Sequence, residues 1–144
     1  MPLYQTRHDR KAEAIVRDWF LSEGWDASIT KKVCRWDIEA QNGDKRLLVE
    51  VKRRLMQWGQ YDTIFIDVDK VNAMLEASTS QDASAVFVVI PNDMKPRFVM
   101  LSPANIEKWG TNTTAVQVDR GDPADVADLK YDIPISDFRP LERA

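Results

Sequence analysis

Ala12, Ile15, Val16, Trp19 and Phe20 recur at i, i+3, i+4, i+7 and i+8, so residues 9–22 predict an amphipathic helix, ended by Gly24. Trp25 to Thr30 predicts a first strand. Two alternating segments follow, Trp36 to Ala40 and Lys45 to Lys52, and they predict a hairpin turning at Asn42-Gly43. Parity then sorts the side chains. With Gln41 opposite Asp44, Asp37 falls opposite Leu48 and shares a face with Glu50 and Lys52, while Trp36, Ile38, Leu47, Val49 and Val51 take the other. Only an even-length loop allows this, because a one-residue slip turns Asp37 toward Val49 and Val51.

Downstream, Arg53 to Asp62 is a polar and aromatic connection, Ile64 to Ile66 a short strand, and Asp67 the N-cap of a helix with Val68, Val71 and Leu75 inward. Ser84 to Ile90 carries no charge and predicts a central strand covered on both faces. Arg97 to Leu101 reads as its antiparallel neighbour across a Pro91-Asn92-Asp93 turn. Ser102-Pro103 starts a helix that Gly110 stops. Weak strands are expected near 115–118 and 131–135, among Asp119, Asp122, Asp125 and Asp128. The expected class is α/β: a central mixed β-sheet flanked by helices in a core over residues 1–110. A short acidic C-terminal extension, 111–144, packs on the same domain.

At 144 residues and 44% hydrophobic, the chain suits one core rather than two. No run of about 18 apolar residues and no basic-then-apolar start points to a membrane span or secretory signal, so a cytoplasmic location is expected. Cys34 and His8 are single, which excludes an intrachain disulfide and a Cys/His zinc set; any metal should be a hard one held by oxygen. The net charge of -3 conceals an asymmetry. Residues 1–60 carry 12 Lys/Arg against 9 Asp/Glu, and residues 61–144 carry 8 against 14.

Lys31, Lys32, Arg35, Lys45, Arg46, Lys52, Arg53 and Arg54 therefore cluster in the half that contains the hairpin. They are either an ordinary solvated surface or a phosphate-binding rim. Two carboxylates and a lysine on one face, Asp37, Glu50 and Lys52, can hold Mg²⁺ against a phosphate. In the plainer reading Lys52 is a surface lysine paired with Glu50. Glu13 lies one helical step outside the apolar stripe and either leans toward the sheet edge or stays in water. Lys70 follows the hairpin in a stretch expected to pass the charged face, and Trp58 reads as a base-stacking or dimer-contact residue.

Lys11-Ala12-Glu13, Glu23-Gly24-Trp25, Trp36-Asp37-Ile38 and Val49-Glu50-Val51-Lys52 together resemble the PD-(D/E)xK nuclease superfamily, which has the restriction endonuclease-like fold. Within it they are similar to archaeal and phage Holliday-junction resolvases. The spacings are 24 residues from Glu13 to Asp37 and 13 from Asp37 to Glu50, and the likeness covers the first third to half of the chain. The resemblance implies a Mg²⁺-dependent DNA endonuclease, with Mn²⁺ substituting, acting on branched DNA as a homodimer; if phage-encoded, it would work in the host cytoplasm. It makes Glu13, Asp37, Glu50 and Lys52 catalytic and assigns the metal to Asp37, Glu50 and the Val51 carbonyl. Lys31, Lys32, Arg35, Arg53, Arg54 and Lys70 are the expected DNA contacts. The other readings are a nuclease for linear duplex or restriction-type sites, and a silent nucleic-acid-binding member of the fold.

Overall fold

A computed structural model of the chain describes residues 7–31, 34–113 and 129–141. The amphipathic helix forms as α1 (Arg7–Ser22), followed by β1 (Asp26–Ile29), β2 (Ile38–Asn42) and β3 (Lys45–Arg53). Next come β4 (Thr63–Asp67), α2 (Val68–Ser80), β5 (Ser84–Ile90), β6 (Arg97–Met100), α3 (Pro103–Lys108) and β7 (Gly110–Thr113). After the undescribed stretch, β8 (Leu129–Pro134) leads through a 3₁₀ turn to β9 (Arg139–Pro140). The strand expected near 115–118 lies outside the described residues. Among the described residues no helix is long and apolar enough to cross a membrane.

The main sheet is mixed, in the order β1-β2-β3-β5-β6-β9, with β3 and β5 parallel and the other pairs antiparallel. A parallel pair needs a long crossover, supplied here by β4 and α2. β4 does not join the main sheet; it forms a second one in the order β4-β8-β7. Residues 129–141 thus supply strands to both sheets.

Alternation along β3 and β5 gives each sheet face its own core. Val49, Val51, Val86, Val88 and Ile90 meet Ala12, Val16 and Phe20 of α1 on one face. Leu48, Phe87 and Val89 meet Val71 and Met74 of α2, and Ile64, Ile66 and Ile133 of the second sheet, on the other. Burying each such side chain contributes about 1.5–3 kcal/mol, so both coverings hold β3 and β5 rigidly. Ser102 caps α3 as its sequence implies, its hydroxyl accepting from the Asn105 N–H.

Three expectations are corrected. The hairpin turns at Gly43-Asp44, with Asn42 opposite Lys45 and Ile38 opposite Val49. Only Gly43 of the two has positive φ, at 61°, the pattern of a turn that needs glycine first. The register differs from the Asn42-Gly43 hairpin by two, an even number, so Asp37 keeps the face of Glu50 and Lys52. Second, Trp36 packs against the α2 core, because it lies in a bend before β2 where strand alternation does not extend. Third, Trp58 does not stand free in its polar loop: it is half-buried, edge-on to Phe138, with Arg97 4.6 Å above its ring.

A Cβ added at Gly43 or at Gly110 would meet nothing within 4 Å, but only Gly43 has a positive φ. Gly43→Ala is therefore expected to lower stability by about 1–2 kcal/mol through backbone strain alone. Gly110→Ala should be neutral or slightly stabilising. Urea denaturation of the two variants checks this, and equal effects would remove the argument from φ.

Candidate active site

β3 outlasts its neighbour β2, and the site lies where the two part. Ile38 opposite Val49 is the last strand pair, after which the Asp37 N–H still donates to the Val49 carbonyl at 2.8 Å. Beyond that point the Asp37 side chain replaces the missing strand: its Oδ2 accepts the Val51 N–H at 2.8 Å. In a strand the N–H and C=O of one residue leave the same edge, so the Val51 carbonyl also faces this gap. The Thr30 N–H donates to the Asp37 carbonyl at 2.9 Å and ties the bend back toward β1.

In the same register Glu50 lies across from Asp37, on the central strand with Phe87 beside it on β5. It is 2% exposed. Lys52 Nζ lies 3.5 Å from its Oε2, and Lys70 Nζ, from the first turn of α2, lies 3.5 Å from its Oε1. Lys70 is anchored further by donating to the Arg35 carbonyl at 2.6 Å. Despite the nearby ammonium, Glu50 Oε1 is buried without a hydrogen-bond acceptor role filled. Burial pushes the Glu50 carboxyl up from 4.5 to about 7, the Asp37 carboxylate adds to the rise, and Lys70 and Lys52 oppose it.

Glu50 opens onto a cleft of about 250 Å³, also lined by Lys52, Arg54, Phe65, Asp67, Lys70 and Lys130. Four of these are cations. Asp67 stands at the N-cap of α2 but makes no side-chain cap hydrogen bond; it pairs with Lys130 of β8 instead. Arg54 donates to the Phe65 carbonyl at 3.3 Å, which places its guanidinium along the cleft wall.

The structure thus brings together Asp37, Glu50, Val51, Lys52 and Lys70. Glu13 is buried, 4% exposed, but on α1, which packs against the sheet face opposite to Glu50. Lys31 and Arg35 are exposed on the loop before β2, and Lys32 lies outside the described residues. Arg53 points away from the cleft, its Nη1 donating to the Arg54 and Ile90 carbonyls at 3.0 Å each. Glu39, on the rim, pairs with Arg46 at 3.7 Å and accepts from Trp36. The sequence reading missed Lys130, Phe65 and Asp67 as cleft residues, since only the β4-β8 pairing makes them neighbours of β3.

Among the described residues no three His, Cys, Asp or Glu side chains converge tightly enough to cage a metal alone. The donor set still suits Mg²⁺, which takes one or two carboxylates and retains waters. The orphaned Glu50 oxygen, on a carboxylate that the neighbouring Asp37 charge already disfavours, is the kind of buried acceptor that a hard cation satisfies.

A mixed sheet with an Asp at a strand divergence and Glu-x-Lys on the next strand defines a nuclease of restriction endonuclease-like architecture. The model of the family described as "Phage putative PDDEXK endonuclease" matches residues 1–141, and the chain belongs to that family. Among solved structures it is similar to the Holliday junction resolvase Hjc of the archaeal hyperthermophile Archaeoglobus fulgidus, at 16% identity and a TM-score of 0.62, over 88% of this chain and 84% of that one. It is also similar to a nuclease from a fusellovirus, at 13% identity and a TM-score of 0.55, over 98% of this chain and 89% of that one. No protein of curated function matches by sequence.

The raised Glu50 pKa has a stability consequence in metal-free protein. The folded value exceeds the unfolded one, so the contribution is fully present below about pH 4.5 and is lost as pH rises through about 7, on the order of 3 kcal/mol. Glu50→Gln is therefore expected to melt progressively higher than wild type, in EDTA, as pH goes from 5 to 8. Melting curves that stay parallel across that range would contradict the buried-charge account.

Proposed function

We propose that this nuclease is a Mg²⁺-dependent endodeoxyribonuclease that cuts branched DNA as a homodimer, one site for each of two strands. The observation that carries the hydrolytic chemistry is the pair Asp37 and Glu50 with an unsatisfied buried oxygen and a lysine on the same face. The likeness to a Holliday junction resolvase supports the branched substrate, and two symmetric cuts ask for two copies.

Asp37, Glu50 and the Val51 carbonyl would hold the metal, which when bound supplies a Lewis acid at the phosphate and lowers the pKa of water. Mn²⁺, similar in its preference for oxygen, would substitute. Lys52, on the same face, steadies the attacking water and the negative charge that develops on the phosphoryl oxygens. Glu13 stays outside this set, since α1 packs on the sheet face opposite to Glu50. Arg54, Lys70 and Lys130 give the cleft the positive charge a DNA backbone requires, and Lys31 and Arg35 extend it along the loop before β2.

Asp37→Asn should reduce cleavage at least about 100-fold while leaving DNA binding in place, because an uncharged ligand loses the metal but not the basic rim. The assay compares four-way, flap, nicked and linear duplex DNA with Mg²⁺ and with Mn²⁺. Wild-type cutting by Asp37→Asn would overturn the chemistry. Equal cutting of all four substrates would leave the chemistry and overturn the branched-DNA reading in favour of linear duplex.

A further inference from the structure

Among the described residues, three of the five exposed large apolar side chains, Leu55, Tyr61 and Phe65, lie in the segment that leaves the end of β3 and enters β4. Scattered singly, such residues need no explanation; gathered beside a reactive face, they do. Phe65 is 42% exposed and lines the same cleft as Glu50. Alternation along β4 turns Ile64 and Ile66 into the core and Phe65 outward with Asp67. Across on β8, Asp132 stands opposite Phe65 and Lys130 opposite Asp67. An aromatic ring among such charged neighbours gains little from cross-strand packing, which is where the strand preference of phenylalanine comes from. The Arg54 guanidinium donates to the Phe65 carbonyl at 3.3 Å, so cation and ring belong to one stretch of the cleft wall.

Cations that follow a phosphate chain and an aromatic face beside them are the two components of a surface for single-stranded nucleic acid. A base inside a continuous duplex has both faces covered by its neighbours. The Phe65 ring is therefore of use only to a nucleotide that has left the stack, as at a flap or at the branch point of a junction. Lys52, Arg54, Lys70 and Lys130 in the same cleft complement phosphate charge, which favours a nucleotide on this wall over the apolar surface of a second copy of the chain.

We propose that Phe65 is a specificity-determining residue that stacks on an unpaired base beside the scissile phosphate and so favours branch points over continuous duplex. This deepens the branched-DNA reading above and rests on it.

The test is fluorescence anisotropy of the full chain with a flap and with a continuous duplex of equal length, in EDTA so that neither is cut. Phe65→Leu keeps an apolar side chain and removes the ring; it should bind the flap about tenfold more weakly, the scale of one base–aromatic stack, and the duplex as wild type does. Phe65→Trp should restore flap binding. With wild-type protein, an abasic site moved along the unpaired strand should reproduce the loss at one position, which tests the stack without altering the chain. Equal weakening on both DNAs would overturn the inference, as would flap binding unchanged in Phe65→Leu and at every abasic position. A fall of Phe65→Leu from dimer to monomer in sedimentation would overturn it too, by assigning the ring to a second copy. Binding without metal reads the stack even if no DNA is cut, so failure of the hydrolytic reading and failure of this one are told apart.

Discussion

The hydrogen bond from the Val51 N–H to Asp37 Oδ2 is the contact on which the rest of the site depends. β3 must run past the end of β2 to carry Glu50 and Lys52 outward, and that overrun would leave a backbone donor without a partner in the sheet interior. An orphaned buried N–H is costly, on the order of 1–3 kcal/mol. Asp37 removes the cost by acting as one further residue of β2, and in doing so it is fixed across from Glu50. The same atoms that complete the sheet thereby set the geometry of the two carboxylates.

That arrangement concentrates negative charge where water is excluded, and the fold does little to relieve it. Glu50 stands beside Phe87 of β5 on a strand covered on both faces, and the Asp37 charge adds to the cost of ionising it. Two lysines at 3.5 Å offset the field only in part. Core packing on both sides of β3 is what keeps such a residue in place, since the sheet cannot yield to let the carboxylate reach solvent. A site built this way is preorganised for positive charge.

Most of the main sheet was legible because its signals are local. The stripe of α1, the alternation of β2 and β3 and the uncharged run of β5 each need no more than a dozen residues to be read. The carboxylate pair was legible for the same reason, since parity survives a register error of two. What escaped the sequence depends on distant pairing or on leaving regular structure. Trp36 sits in a bend, where period-two reasoning lapses. Lys70 was expected beside the charged face, but its pairing with Glu50 needs the crossover that lays α2 over that residue. Lys130 follows a cluster of aspartates, and no local pattern ties it to a cleft.

The second sheet has a consequence for how the molecule assembles. Phe65 meets Asp132 across 67 positions of chain, whereas Ile38 meets Val49 across 11. Loop closure grows costlier with length and long-range pairings form slowly, so the hairpin bearing the carboxylates belongs to the early, local part of folding. The wall that carries Phe65, Asp67 and Lys130 closes only when β8 returns to β4. The carboxylate hairpin is thus written within a dozen residues, whereas the cleft wall beside it needs the two ends of a 67-residue span to meet.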